Sequence, residues 1–423
     1  MKNLIIIGII ALLVISAGCS SKEEEIVDQP VIDSPTTSVV NLSEEGLANC
    51  YIVQSPGIYM FKVDNQFNLG EGLPVPPKIN PESAGLIWQS GKSLIKSVEL
   101  IQEGENSYVK FEVEIAKGNA LIAVYDEAGN IEWSWHIWMP TEEIYSIAAD
   151  SGYEVMNLNL GAIDNSPGSV TSYGMLYQWG RKDPFPAAGS LTGDLKTLSA
   201  PMYDIDNNPV LLKNSSWTDT DNNTIQYSIE NPTIVLSNNS QYSQSRDWLR
   251  SDLSEPALWG NPQGSLREDE TLSYINKGVK TCYDPSPYGW RVPPADVFLH
   301  FTVEGGYAWD INAFNIFDSN GDNEYNLDDY NYGWHFMINF ETPLYFPAAS
   351  RFDGSYAMLM GSMSGWWGNY WSNSPSESMS GGALSALAFQ VKDINGMEMI
   401  TASPSASSSK ADAFSIRCIK DNK

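Results

Sequence analysis

The chain has 423 residues and a formal net charge of −28, because 52 Asp and Glu outnumber 24 Lys and Arg. Such an acidic surface repels nucleic acid and anionic lipid headgroups, so we expect no nucleic-acid partner and no membrane attachment through a basic patch. The length allows two or three domains, and the aromatic content of 12% favours β structure and ligand-facing surfaces.

The N-terminus has the order of an export signal. Lys2 precedes an apolar run at 4–15 that is too short to span a bilayer, and Ser16-Ala17-Gly18 then lead to Cys19. This order resembles a bacterial lipoprotein signal, which implies cleavage after residue 18 and lipidation of Cys19; an ordinary secretory signal is the alternative. We therefore predict a signal peptide at 1–18 and a lipid anchor outside the cytoplasm.

A polar segment at 19–41 is predicted to be a flexible tether, and the pattern then changes to one of β-strands. Apolar and charged residues alternate at 109–115, and 121–125 and 131–138 have the pattern of a hairpin. We predict a β-sandwich domain at 42–140.

The remainder, 141–423, is long, loop-rich and aromatic. Its Asn-rich stretch at 202–245 is interpreted as an insertion of loops and short strands. A short helix is expected at 293–301, and late strands are expected at 384–391 and 414–419. The chain as a whole is predicted to be mainly β with some α.

Six short blocks follow one another in this C-terminal region. They are Asn157-Leu158-Asn159-Leu160-Gly161-Ala162, Leu176-Tyr177-Gln178-Trp179-Gly180-Arg181-Lys182-Asp183-Pro184-Phe185, Tyr288-Gly289-Trp290-Arg291-Val292-Pro293, Tyr345-Phe346-Pro347-Ala348-Ala349, Tyr370-Trp371-Ser372 and Ile416-Arg417-Cys418. The series resembles the Fibrobacter succinogenes major paralogous domain, which is grouped with C-type-lectin-like folds. The resemblance implies a loop-rich C-type-lectin-like α+β domain at 141–423, although Asn157-Leu158 stands where Asp-Arg is usual.

Two features of the front region point the same way. The segments 48–53 and 133–138 resemble the domain that precedes this one in Bacteroidetes fimbrillin-like surface lipoproteins. The acidic run at 20–25 resembles the signal that sends Bacteroidetes lipoproteins to the outer face of the outer membrane; a solvated charge run is the alternative. These resemblances imply an outer-membrane lipoprotein displayed on the cell surface, with fimbrial subunits among its expected partners.

An acidic loop at 318–329 is the best candidate for a metal site. Its oxygen-bearing side chains have nearly the spacing of an EF-hand-type calcium loop, and Asn323 stands where glycine is usual. The predicted Ca²⁺ ligands are Asp318, Asn320, Asp322, Glu324, Asn326 and Asp329. The alternative is a turn rich in Asp and Asn that binds nothing.

Aromatic residues concentrate beside glycine at 366–371, and rings of this kind can cover the apolar faces of sugars. The ligand-binding candidates are Trp366, Trp367, Tyr370 and Trp371, and the alternative is that they pack a core. No Gly-x-Ser-x-Gly, phosphate-binding loop or His-Glu-x-x-His is present, so we do not expect an enzyme.

Three cysteines remain once Cys19 carries lipid, so at most one disulfide can form. In a lectin-like fold the last strand returns to the middle of the domain. The resemblance therefore implies a bond between Cys282 and Cys418, with Cys50 left free; the alternative is buried thiols with no bond.

These expectations together predict an adhesin or a fimbrial accessory or tip component that binds a host or glycan ligand. Three alternatives remain. They are a glycan-capture lipoprotein of a polysaccharide-uptake system, a secreted enzyme, and a structural surface-layer protein without a ligand.

Overall fold

Strands make up 38% of the residues that the structure describes and helices 6%, so the predicted mainly β fold class is confirmed. The structure is a computed structural model and describes residues 38–192, 198–215, 222–238, 246–250, 253, 255–261, 278–376, 382–393 and 395–421. The predicted signal peptide, Cys19 and most of the tether lie outside these residues. In the part of the chain described, no helix is both long enough and apolar enough to cross a membrane.

Eight strands form the front of the molecule. They are β1 (Val39–Asn41), β2 (Cys50–Ile52), β3 (Gly57–Lys62), β4 (Ser83–Gln89), β5 (Ile95–Glu103), β6 (Asn106–Val113), β7 (Gly118–Tyr125) and β8 (Ile131–Met139). One sheet has the order β1-β3-β6-β5, and β4-β7-β8-β2 are consecutive in a second sheet. The predicted hairpin at 121–138 is therefore confirmed as β7–β8, which pair in antiparallel register.

Aromatic side chains fill the space between these two sheets. Phe61 on β3 lies 4.8 Å from Tyr51 and 5.1 Å from Trp135, measured between ring centroids. The alternation seen in the sequence of β6 is reproduced in its burial, because Val109, Phe111 and Val113 are all buried. This two-sheet packing is consistent with the predicted β-sandwich.

The middle of the chain contributes shorter elements. They are β9 (Ser146–Ala148), β10 (Glu154–Met156), β11 (Met175–Gln178), β12 (Phe185–Pro186), β13 (Met202–Tyr203), β14 (Pro209–Val210), β15 (Lys213–Asn214), the helix α1 (Ile225–Glu230) and β16 (Ile234–Val235). Among the described residues, α1 is the one α-helix; short 3-10 helices lie at Val170–Ser172, Leu299–Phe301, Ile311–Ala313, Leu327–Asp329 and Gly361–Met363. The helix expected at 293–301 is thus reduced to its last turn.

The last part of the chain is again rich in strands. They are β17 (Trp290–Arg291), β18 (Gly333–Met337), β19 (Pro343–Pro347), β20 (Phe352–Asp353), β21 (Met358–Leu359), β22 (Trp367–Pro375), β23 (Gly382–Lys392), β24 (Glu398–Ser403), β25 (Ser407–Ser409), β26 (Ala413–Phe414) and β27 (Ile419–Lys420). Their main sheets have the orders β17-β27-β10-β9, β12-β11-β26-β20-β21 and β22-β23-β24, and β25 also pairs with β23.

The two regions predicted to be separate domains share one hydrophobic core. The largest buried cluster contains Trp133 and Trp135 from the front together with Met156, Trp179 and Trp371 from beyond residue 140. The front sheet is itself completed from the stretch interpreted as an insertion, because its full order is β14-β13-β4-β7-β8-β2. The predicted boundary at residue 140 therefore does not separate two independent cores.

A buried ion pair lies where the two regions meet. The Lys182 ammonium donates hydrogen bonds to the backbone carbonyl of Ser134 at 3.0 Å, to the Ser134 hydroxyl at 2.6 Å and to Asp183 Oδ1 at 2.7 Å. The two charged side chains are only 2% and 3% exposed. Burial lowers the pKa of Lys182, and the charge of Asp183 opposes that shift. The contact joins β8 to the segment that follows β11.

Several blocks of the motif series meet at Arg417, which is fully buried. Its guanidinium donates to Asn159 Oδ1 at 2.8 Å and to the backbone carbonyls of Asn157 and Tyr345, each at 2.9 Å. The blocks that carry the resemblance therefore hold the interior of the C-terminal region together. The cost of burying this charge is offset by the number of acceptors around it.

Candidate ligand-binding cleft

A loop at 302–313 is fixed to the body of the protein at two points. Thr302 pairs with Phe314 at its base, and Ala308 pairs with Ala402 on β24 in its middle. The second pairing uses two backbone hydrogen bonds, of 2.8 and 3.0 Å, between Ala308 and Ala402. These bonds restrict the backbone of the loop on both sides of Ala308.

The extended backbone at this point sends alternate side chains in opposite directions. Ala308 is 8% exposed and lies in the second core cluster, whereas Tyr307 is 50% exposed and Trp309 is 73% exposed. The centroids of the two exposed rings lie 4.7 Å apart and their planes are 82° to each other, an edge-to-face contact. The loop therefore displays a pair of aromatic rings that are held against each other.

The rings border a cleft of about 450 Å³. Its lining residues are Thr302, Val303, Glu304, Gly306, Tyr307, Ala308, Trp309, Asp310, Asn312 and Ala313. The lining thus combines aromatic and apolar surface with two carboxylates and an amide, all exposed. Exposed apolar surface rimmed by polar groups is typical of a ligand-binding site.

Asp310 is held in one orientation beside the rings. Its Oδ1 accepts the backbone N–H of Asn312 at 3.0 Å and the side-chain amide of Asn312 at 2.9 Å, so it caps the 3-10 helix Ile311–Ala313. Oδ2 has no partner among the described residues and remains an acceptor for a ligand.

The predicted aromatic site at 366–371 is wrong for two of its four residues. Tyr370 and Trp371 are fully buried, and the Tyr370 hydroxyl donates to the backbone carbonyl of Pro347 at 2.7 Å. The Trp371 ring stacks on Phe414 with centroids 4.0 Å apart. These two side chains belong to the core, because successive residues on both faces of β22 are buried.

Trp366 and Trp367 are half-buried and lie closer to the surface. The Trp367 indole donates to the backbone carbonyl of Lys392 at 2.7 Å, and the Lys392 ammonium lies 5.1 Å from the centroid of the Trp366 ring. Trp366 lines a second cleft, of about 350 Å³, together with Tyr330 and Tyr332. Of the four predicted ligand-binding residues, Trp366 thus retains a place beside a cleft.

The acidic loop at 318–329 is ordered by hydrogen bonds within itself. Asp318 accepts backbone N–H groups from Gly321 at 2.7 Å and Asn323 at 2.8 Å, and Asn323 takes the left-handed conformation with φ 65°. Asp329 is buried and accepts the N–H of Ser319 at 2.7 Å.

Asn323 therefore occupies the backbone conformation for which calcium loops use glycine, and the oxygen donors suit a hard cation. Across the described residues, however, no group of three or more His, Cys, Asp or Glu side chains is placed to hold a metal ion. Calcium binding by Asp318, Asn320, Asp322, Glu324, Asn326 and Asp329 stays a prediction.

We expect about 10 mM Ca²⁺ to raise the melting temperature relative to EDTA, as for an extracellular site with a Kd of about 10⁻³ M. Linkage then stabilises the folded state by about 1.4 kcal/mol, since the ion binds the native loop alone. The variant Asp318→Ala/Asp322→Ala should lose this increment when measured by calorimetry. Identical melting curves in Ca²⁺ and EDTA for the unaltered protein would show that the loop is a turn only.

The predicted disulfide between Cys282 and Cys418 is absent. Cys50, Cys282 and Cys418 are all free and buried. The Cys282 thiol points to the backbone carbonyl of Pro74 at 3.6 Å, whereas the Cys418 thiol contacts the Ser286 hydroxyl at 3.3 Å. Burial raises the pKa of both thiols to about 12. The two sulfur atoms therefore face different surroundings and behave as small core groups.

Burial also lowers the pKa of each of the three histidines. His136 is 1% exposed, its Nε2 lies 2.8 Å from Asn119 Oδ1, and burial lowers its pKa to about 3. Burial also lowers the pKa of His300 and His335. His136 is therefore neutral at physiological pH and serves to pack and hydrogen-bond the centre of the molecule.

The segment Gly305-Gly306-Tyr307-Ala308-Trp309-Asp310 was overlooked in the sequence, although it carried a usable signal. Two glycines mark a loop, and the order aromatic, small, aromatic, acidic places both rings on one side of an extended chain. The cluster at 366–371 holds more aromatic residues, but Tyr370 and Trp371 within it are buried. No protein-family model, curated protein or solved structure matches this chain.

Proposed function

We propose that this protein is a surface-displayed lipoprotein that binds carbohydrate through the cleft at 302–313 and serves in adhesion. The observation that carries the proposal is the 73% exposure of Trp309, in edge-to-face contact with Tyr307 on a loop fixed at two points. A flat exposed indole can cover the apolar C–H face of a sugar ring, and neighbouring carboxylate and amide groups can bond the sugar hydroxyls. Asp310 and Asn312 supply such groups.

The sequence supports the location of this activity. The order Ser16-Ala17-Gly18-Cys19 favours a lipid anchor, and the acidic run at 20–25 favours display on the outer face of the outer membrane. A lipid-anchored protein with an exposed aromatic cleft is suited to holding a cell against a glycan surface. Fimbrial subunits remain proposed partners through the resemblance of the front region.

Two measurements test the proposal together. A glycan array probed with purified residues 38–423 should show binding that Trp309→Ala reduces by about five- to thirtyfold, since stacking of one ring contributes on the order of 1–2 kcal/mol. Cells that carry the full chain should bind beads coated with the same glycan. Cells that carry Cys19→Ala should not, because the protein is then shed or left unprocessed.

Tyr356→Ala is the matched control, since Tyr356 is an aromatic residue that is 68% exposed and lies outside the cleft lining. This variant should bind as the unaltered protein does. An array on which the unaltered protein binds no glycan refutes carbohydrate binding. Binding to the array without attachment of cells to beads favours the alternative function, glycan capture for uptake.

A further inference from the structure

The cleft at 302–313 is acidic as well as aromatic. Glu304 and Asp310 both line it, and the described lining residues include no Lys, Arg or His. Glu304 is exposed and makes no hydrogen bond or ion pair with any residue that the structure describes. A ligand that enters the cleft therefore meets two uncompensated carboxylates on a protein whose net charge is already −28.

The contact between the two rings limits how a ligand can lie. Their centroids are 4.7 Å apart, so the rings touch and no group can enter between them. Aromatic cages that bind quaternary ammonium ions surround the ion with several ring faces, and these two rings do not form such a cage. A ligand can only lie flat on an outer ring face, as the C–H face of a sugar ring can.

The carboxylate oxygens beside the rings also determine which ligands can bind. Asp310 Oδ1 is occupied by Asn312, and Oδ2 is left without a partner among the described residues, at a position fixed by that same contact. A carboxylate only accepts hydrogen bonds, so it binds hydroxyl or amide donors and repels another carboxylate. Neutral sugars present hydroxyl donors around the ring, whereas uronic and sialic acids add a negative charge.

We propose that the cleft selects neutral pyranosides and excludes acidic ones, and that Glu304 and Asp310 are the residues that determine this selectivity. The inference rests on the proposed function, because it specifies the ligand of the same cleft. The Trp309 ring supplies the surface on which the sugar lies, and the two carboxylates admit hydroxyl donors and reject anions.

The experiment measures binding of neutral hexose oligosaccharides and of oligouronates of the same length by titration calorimetry, at low salt. The unaltered protein should bind at least one neutral series at least about tenfold more tightly than any oligouronate. Glu304→Gln/Asp310→Asn keeps an acceptor oxygen at both positions and removes both charges. This variant should narrow the difference in affinity between the two series. It should bind oligouronates more tightly and the neutral series more weakly, because an amide oxygen is a weaker acceptor than a carboxylate.

Glu105→Gln is the control, because it removes one exposed carboxylate from the turn between β5 and β6, outside the cleft. It should leave the selectivity unchanged. Equal binding of oligouronates and neutral oligosaccharides to the unaltered protein overturns the inference while carbohydrate binding stands. Displacement of a bound neutral sugar by tetramethylammonium also overturns it, and the absence of binding to either series removes the proposed function as well.

Discussion

Replacing Asp183 with alanine is expected to lower the free energy of unfolding by about 3–5 kcal/mol, the usual effect of removing one partner from a buried ion pair. The Lys182 ammonium would keep only the two oxygens of Ser134 as acceptors, in a site where its side chain is 2% exposed. Urea unfolding followed by tryptophan fluorescence would measure the loss.

The pH dependence of that loss identifies its cause. Without Asp183 the pKa of Lys182 in the folded state falls further below its unfolded value, because burial disfavours the charged amine. The unfolded state then binds a proton that the folded state gives up, so stability rises with pH. The difference between Asp183→Ala and the unaltered protein should therefore be smaller near pH 9 than near pH 7.

Two further variants serve as controls for Asp183→Ala. Lys182→Met/Asp183→Ala removes both charges and should recover part of the stability, because no uncompensated charge remains in the core. Glu99→Ala removes the partner of Lys110 in a surface pair whose side chains are 55% and 33% exposed, and should leave the unfolding midpoint within error. A midpoint for Asp183→Ala as high as that for Glu99→Ala would contradict a structural role for the buried pair.

Replacing Trp371 with alanine is expected to destabilise the protein by about 3–5 kcal/mol, as large truncations in a core do. Trp371 is fully buried, stacks on Phe414, and donates its indole N–H to the backbone carbonyl of Tyr177 at 2.8 Å. The variant would lose this packing and leave a cavity in the centre of the C-terminal region. Chemical unfolding measures the change.

Trp309→Ala is the matched comparison for Trp371→Ala, since the same residue type is removed from a position that is 73% exposed. It should change stability by no more than about 0.5 kcal/mol and yet weaken glycan binding by about five- to thirtyfold. Trp371→Ala should bind normally under conditions in which it is folded. If Trp371→Ala stayed stable and lost binding while Trp309→Ala bound normally, the cluster at 366–371 would be the ligand site, as the sequence suggested.

The strands with a simple periodic pattern could be predicted from the sequence. The alternation in β6, the hairpin β7–β8 and the strand expected at 384–391 all appear, because each depends on local burial of one or both faces. The strand expected at 414–419 is interrupted between β26 and β27. There the Arg417 side chain turns inward to Asn159 and Tyr345, which are far away in the sequence.

The exposure of individual tryptophans could not be predicted, because it depends on contacts between distant segments. Trp371 is buried by Phe414, and Trp309 is exposed because the neighbouring Ala308 is the residue that pairs with Ala402. In a sequence pattern Trp371 and Trp309 both count as apolar residues, so the pattern does not distinguish the buried ring from the exposed one. The shared core was missed for the same reason, since no local signal shows that β13 adds to β4 across more than one hundred residues.

A ligand bound at 302–313 and the N-terminal end of the described chain are the two points between which a mechanical force would act. That force would be transmitted through the β-sandwich and the C-terminal region together. The β-sandwich cannot swing on a hinge at residue 140, because Asn49 donates to the backbone carbonyls of Cys282 and Asp284 at 2.6 and 2.9 Å and the indole of Trp138 donates to that of Ala162 at 2.7 Å. Under tension, residues 38–140 and the region beyond them would therefore move together as one rigid unit.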